Sequence, residues 1–198
     1  VTAFELSYDY RCPFAKNIHL HVLAALRAGA DFDVTFVPWT MSQGYVAPES
    51  PDSWDDPAFD ADHLSMYVSI SVRDQQPELF LAAHEALFRA RHEQAIRLVT
   101  LEEIEGVLQP LGVDMERVRL DVASRRPHEV MAQSYAAFDK YEAFGVPTFV
   151  LDGDATFVRY MTVPSSDAQA SVKVIESILA LIALEPELNE FKHTRAAY

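Results

Sequence analysis

A single cysteine, Cys12, stands directly before Pro13 in the run Asp9-Tyr10-Arg11-Cys12-Pro13-Phe14-Ala15. A thiol reacts as its thiolate, the form that attacks disulfides and electrophiles. Proline is favoured at the first position of a helix, where its missing N–H costs nothing. Cys12 is therefore expected at a helix N-terminus, whose unpaired N–H groups and positive dipole end favour the thiolate and lower the thiol pKa. Arg11 adds positive charge if its side chain turns toward the sulfur. The competing reading is that an isolated cysteine serves as a small buried hydrophobe. Asp9 suits a proton acceptor or an orienting group near the sulfur, and equally a cap on the helix or on the turn before it.

A second motif, Gly145-Val146-Pro147-Thr148-Phe149, follows about 135 residues later. Proline is tolerated at the first position of a strand, so Pro147 alone has a purely structural explanation. Cys12 and Pro147 can act together only if the elements between them bring them face to face.

Those elements are legible from periodicity. Residues 3–8 alternate apolar and polar and predict a strand. Ile18, Val22, Ala25 and Leu26 recur at helical spacing after Pro13, and Gly29 suits the helix stop. Residues 34–37 predict a second strand, closed by Pro38. The Pro-, Asp- and Ser-rich residues 41–62 predict a long loop, and about 63–144 predict helix throughout. Within that block Pro77 opens a helix, Thr100 with Glu103 makes a capping box, and Asp114 caps another. Pro127 opens a helix expected to run to Phe144 and to end at Gly145. Residues 148–151 and 155–159 flank Asp152-Gly153-Asp154 as a hairpin. Ser166 with Gln169 boxes the last helix, whose buried stripe is Val172, Ile175, Leu179 and Ile182. The order is β-α-β, an all-helical insertion, then β-β-α. It predicts one α/β domain over 1–198, assembled from 1–40 and 145–185 with the insertion between.

Composition narrows the partners. A formal net charge of −14 argues against nucleic acid and anionic membrane surfaces. No apolar run approaches the ~20 residues that span a bilayer. One thiol forms no intramolecular disulfide, and no leader is visible, so the cytoplasm is the expected location.

Asp9-x-x-Cys12-Pro13, the helical insertion, and Gly-Val-Pro-Thr-Phe after it resemble the DsbA family of thioredoxin-like proteins. The C-terminal Leu188-Asn189-Glu190-Phe191-Lys192-His193-Thr194 is similar to the ending of a cytoplasmic subgroup with Cys-Pro-Phe-Ala at the site. The resemblance implies a cis Pro147, with the Val146 backbone beside Cys12 to pair with an extended or thiol-bearing substrate. Pro13, Phe14, Val146, Pro147 and Thr148 would contact it, with Asp9 and Arg11 as electrostatic support. The chain departs from the oxidases of the family in one decisive place: Ala15 stands where Cys-x-x-Cys carries its second thiol. One sulfur cannot store a disulfide and hand it on. A single thiol can still form a mixed disulfide that an external thiol resolves, or be oxidised to a sulfenic acid and capped.

The expected activity is therefore a monothiol thiol-disulfide oxidoreductase, with glutathione, mycothiol or an equivalent as the external thiol. No tightly bound cofactor and no metal are expected. Two alternatives stand beside it. One is a thiol-cofactor-dependent isomerase or transferase similar to the kappa-class glutathione transferases, which use Ser-Pro at this corner. The other is a non-catalytic binding or chaperone module that lost redox function with its second cysteine.

The remaining candidates have plainer readings. His19 lies two helical turns from Cys12, about 10 Å along the axis, too far for direct proton transfer. His84, Phe88 and His92 share one helix face, with Glu85 and Glu93 near. The spacing suits no compact metal site, and a solvated or partly buried face is expected. Tyr8 and Tyr10 are expected to pack beneath the site. Trp39, Trp54 and Tyr45 flank the long loop, as core packing or as pocket walls.

Overall fold

The structure, a computed structural model, describes residues 1–193. β1 (Thr2–Tyr8) leads through a short connector to α1 (Pro13–Arg27) and then to β2 (Phe32–Pro38). β1 and β2 pair in parallel from Thr2↔Phe32 to Tyr8↔Pro38. Gly29 ends the α1 segment at φ +84, the left-handed conformation that glycine adopts without steric cost. The chain then builds α2 (Asp60–Gln75), α3 (Pro77–His92), α4 (Leu101–Leu108), α5 (Met115–Ala123) and α6 (Arg126–Asp139). It returns as the antiparallel pair β3 (Thr148–Leu151) and β4 (Asp154–Phe157), followed by α7 (Ala168–Leu184). The sheet order is β2-β1-β3-β4, with β3 antiparallel to β1. This is a thioredoxin-like arrangement with a helical insertion between its halves.

α1 packs against both α7 and α3, which is why it is buried on nearly every side rather than along one stripe. Asp152 (φ 52) and Gly153 (φ 92) turn the β3–β4 hairpin with two left-handed residues, the backbone that matches strand twist. Thr100 caps α4 by accepting from the Glu103 N–H, and Asp114 caps α5 through the Arg117 N–H.

Several boundaries differ from the sequence expectation. The long loop holds two short 3-10 turns, Met41–Tyr45 and Pro57–Phe59, and α2 begins inside it. The helical block is broken between His92 and Leu101, where Ala95 and Leu98 take positive φ. α6 stops at Asp139, five residues before Phe144. Gly145 is therefore not its stop. A Cβ there would meet the Phe157 ring at 3.2 Å, so glycine answers a close approach between the hairpin and the segment before it. α7 is capped by Asp167, which accepts from the Gln169 N–H, in place of the expected Ser166 box. Residues 188–193 form no helix or strand, and Thr194 lies outside the described residues.

Candidate active site

The C-terminal end of β1 and the segment that leads into β3 meet above the start of α1. Cys12 is the N-cap of α1, with extended backbone and Pro13 at the first helical position. Its Sγ accepts from the Ala15 N–H at 3.5 Å and donates to the Val146 carbonyl at 3.2 Å. The Val146–Pro147 peptide bond is cis. Three bonds fix that loop. The Thr148 N–H donates to Ser7 Oγ at 2.8 Å, Thr148 Oγ1 donates to the Gly145 carbonyl at 2.8 Å, and the Val158 N–H donates to the Pro147 carbonyl at 3.1 Å. Residues on β1, β3 and the end of β4 thus hold the proline opposite the sulfur.

The thiol departs from expectation. Burial pushes the Cys12 thiol up, and this outweighs the Ala15 and Phe14 amides, which draw it down. The Asp9 charge raises it further and the Arg159 charge lowers it. A helix terminus favours a thiolate only as far as the surroundings let the charge be solvated, and this sulfur is half enclosed.

Arg11 does not serve the sulfur either. Its guanidinium forks onto Asp9, with Nε to Oδ1 at 3.1 Å and Nη2 to Oδ2 at 2.7 Å. Nη2 also reaches Thr40 Oγ1 and Ser42 Oγ, each at 2.9 Å. Asp9 in turn accepts from the Arg11 N–H at 2.9 Å, which makes it the cap of the turn before α1. The pair braces the connector against the loop after β2. Thr40 already accepts from Arg11 and from the Ser42 N–H, so its hydroxyl proton goes to His63 Nε2. His63 is then neutral and donates from Nδ1 to the Tyr67 hydroxyl. Burial, with the Arg11 charge, pushes it down to about 4.

Over Cys12 opens a cavity of about 740 Å³, its lining mostly apolar, with Phe14, Phe59, Phe144, Phe157 and Tyr45 in the walls. Of the residues singled out from the sequence, Asp9, Arg11, Cys12, Pro13, Phe14 and Val146 line it. Pro147 and Thr148 do not. Thr148 is buried in the sheet, its hydroxyl turned to Gly145, so it positions the loop instead of touching a ligand. Trp39 stacks on Tyr135 at 5.3 Å, and Trp54 packs on the same ring, so both belong to the core. Tyr45 is the exposed aromatic of that loop that reaches the cavity. Phe144, Phe157 and Arg159 were not legible as site residues. The only available signal was that their hairpin flanks Pro147.

Beneath the connector lies a closed polar chain. His84, expected on a partly solvated face, is wholly buried. His19 Nε2 faces the Ser7 carbonyl at 3.1 Å and must donate to it, leaving His19 Nδ1 as an acceptor. His84 Nε2 therefore donates to His19 at 2.9 Å, and His84 Nδ1 accepts from the Tyr10 hydroxyl at 2.7 Å. Tyr10 then accepts from Ser69 at 2.7 Å, and Ser69 accepts from Tyr8 at 3.0 Å. Every proton points one way. Burial pushes His19 down to about 3 and His84 well below its ordinary value, and it raises Tyr8 and Tyr10. His92 donates to the Tyr10 carbonyl at 2.8 Å, and so supports the connector from α3. Among the described residues no group of three or more His, Cys, Asp or Glu side chains is placed to hold a metal.

A cysteine at the N-cap of the first helix, set against a cis-proline before an antiparallel strand, marks a protein of the thioredoxin class. The DSBA-like thioredoxin domain family matches residues 53–175, and the chain belongs to that family. The match spans the helical insertion and the hairpin, and Cys12 lies upstream of it. Among solved structures, the chain is similar to the cytosolic disulfide reductase DsbM from Pseudomonas aeruginosa, at 17% identity and a TM-score of 0.62, covering 90% of this chain and 99% of that one. It is similar to MdbA, a thiol-disulfide oxidoreductase from Actinomyces oris, at 17% identity and a TM-score of 0.62, covering 87% and 80%. A thioredoxin-like oxidoreductase from Silicibacter pomeroyi DSS-3 follows at 18% identity and a TM-score of 0.56, covering 89% and 87%. At these identities the likeness is one of fold. A comparison with curated proteins found no match. Among the described residues no helix is long and apolar enough to cross a membrane.

Proposed function

We propose that this chain is a monothiol thiol-disulfide oxidoreductase in which Cys12 is the nucleophile. The observation that carries the reading is the Cys12 sulfur, seated against the Val146 carbonyl at 3.2 Å and opening onto a cavity of about 740 Å³, the size of a small-molecule site. The chain has no second cysteine to resolve the product. In the first step the Cys12 thiol loses its proton to solvent and the thiolate attacks one sulfur of a disulfide R–S–S–R. The S–S bond breaks, Cys12–S–S–R forms, and R–S⁻ leaves and takes up a proton. A small thiol then attacks the R sulfur, which frees Cys12 and carries R away as a new disulfide. Val146, through its backbone, and Phe14 border the attacking sulfur, while Pro147 and Thr148 set the loop. A reducing compartment such as the cytoplasm supplies that thiol, and the likeness to a cytosolic disulfide reductase is in keeping with it.

The test is mass spectrometry of reduced protein mixed with 2-hydroxyethyl disulfide, before and after reduced glutathione. The expected result is one adduct on Cys12 that glutathione removes, with no adduct on Cys12→Ser. A wild-type protein that forms no adduct refutes the reading.

One observation favours a second reading. The Cys12 thiol is held protonated by burial and donates to Val146, which suits a site that binds a small thiol without reacting with it. That reading, an isomerase or transferase using a thiol cofactor, predicts saturable calorimetric binding of reduced glutathione to Cys12→Ser. Absence of binding at millimolar glutathione counts against it.

A further inference from the structure

The cavity over Cys12 carries one cation that nothing in the wall neutralises. Arg159 leaves β4 directly after Val158, whose N–H donates to the Pro147 carbonyl at 3.1 Å, so the chain itself delivers this side chain to the mouth of the site. Its guanidinium carbon lies 4.7 Å from the centroid of the Phe14 ring and 6.0 Å from that of Phe157. Cation–π attraction to the two rings holds the guanidinium at the cavity wall. Among the described residues Arg159 makes no ion pair and no hydrogen bond. The other lining cation is already engaged, since Arg11 holds Asp9 at 2.7 Å and has Asp62 at 3.7 Å. Asp62 is the remaining acid in the lining and lies on the Arg11 side.

We propose that Arg159 selects, for attack by Cys12, low-molecular-weight disulfides that bear a carboxylate. The inference rests on the thiol-disulfide reading above and names the substrate class for it. The aromatic rings hold the guanidinium in place, and a planar fork of N–H donors matches the two oxygens of a carboxylate. The chain's net charge of −14 repels an anion at long range. Salt screens that repulsion over about 8 Å at physiological ionic strength, whereas a carboxylate in direct contact with the exposed Arg159 lies well inside that range. Contact with Arg159 therefore outweighs the field of the whole chain once the substrate has entered. Chemistry is unchanged by the selection: the Cys12 thiolate displaces a carboxylate-bearing thiolate, and a small thiol then attacks the outer sulfur of the mixed disulfide, which frees Cys12 and carries the carboxylate-bearing half away as a new disulfide.

The experiment compares second-order rates of Cys12 adduct formation with 3,3′-dithiodipropionate and with 2-hydroxyethyl disulfide, near physiological salt. The readout is the ratio of the two rates in each protein, so a general change in thiol reactivity divides out. Arg159→Gln is expected to lower the ratio about three- to fivefold, the scale of one ion pair at an exposed position. Arg159→Glu is expected to lower it further. A ratio that stays within twofold of wild type in Arg159→Gln, or that fails to fall further in Arg159→Glu, overturns the proposal while leaving the nucleophile in place. Absence of an adduct with either disulfide instead refutes the thiol-disulfide reading on which the proposal rests.

Discussion

Replacing Tyr10 by phenylalanine tests the buried chain under the connector, because it removes one oxygen and leaves the ring. The Tyr10 hydroxyl donates to His84 Nδ1 at 2.7 Å and accepts from Ser69 at 2.7 Å, and all three residues are essentially sealed from water. In Tyr10→Phe the His84 Nδ1 lone pair and the Ser69 hydroxyl proton both lose their partners. A tautomer change at His84 offers no escape. It would set two imidazole lone pairs against each other unless His19 also changed, and that would orphan the Ser7 carbonyl. Each orphaned buried group costs about 1–3 kcal/mol, so the two together predict a loss of about 2–6 kcal/mol. Tyr8→Phe is the matched control at the head of the chain. It removes a donor to Ser69 and leaves only an unused lone pair, an expected loss of about 1 kcal/mol. Urea unfolding followed by the buried Trp39 and Trp54 measures both. A Tyr10→Phe loss below about 0.5 kcal/mol, or a Tyr8→Phe loss exceeding it, refutes the one-way proton order, since a disordered network would spread the cost.

Two further outcomes follow from the titrating groups. Because burial raises the Cys12 thiol, its alkylation rate is expected to climb about tenfold per pH unit from pH 6 to 8 with no plateau. At pH 7 the thiolate fraction is below the ~3% of a thiol with an ordinary pKa of about 8.5, and a plateau below pH 7 would contradict the structure. The sign for stability follows, since the folded state holds this proton more tightly. Its contribution is complete below the ordinary thiol range and is lost as pH rises toward the elevated value. The histidines act at the other end. His19, pushed from 6.5 down to about 3 in a fully buried site, binds its proton less readily folded than unfolded. Its stabilising contribution is complete above about pH 6.5 and falls as acid is added, by about 2 kcal/mol between pH 7 and pH 5. A urea midpoint that is the same at both pH values sinks this account.

The sequence by itself determined the local and the ordered. Pro13 after a strand placed Cys12 at a helix start, and Gly29, Thr100, Asp114 and Asp152-Gly153 marked ends and turns, because capping and left-handed backbone depend on neighbours in the chain. The pairing of Cys12 with Pro147 came from the resemblance to the DsbA family, which rests on two short motifs and the order of elements between them. Where α6 stops was not legible, because the segment after it answers to the Phe157 ring across the hairpin and not to its own propensity. Only the tertiary structure decided the state of the sulfur. Dipole and amides are local and favour a thiolate, whereas the burial that opposes them is set by tertiary packing, including the Val146 carbonyl from about 135 residues away. Only the tertiary structure took Arg11 from Cys12 and gave it to Asp9, Thr40 and Ser42, and set Arg159 over Phe14. Charge and burial at a site are sums over everything within a few ångströms, and most of those neighbours are distant in the chain.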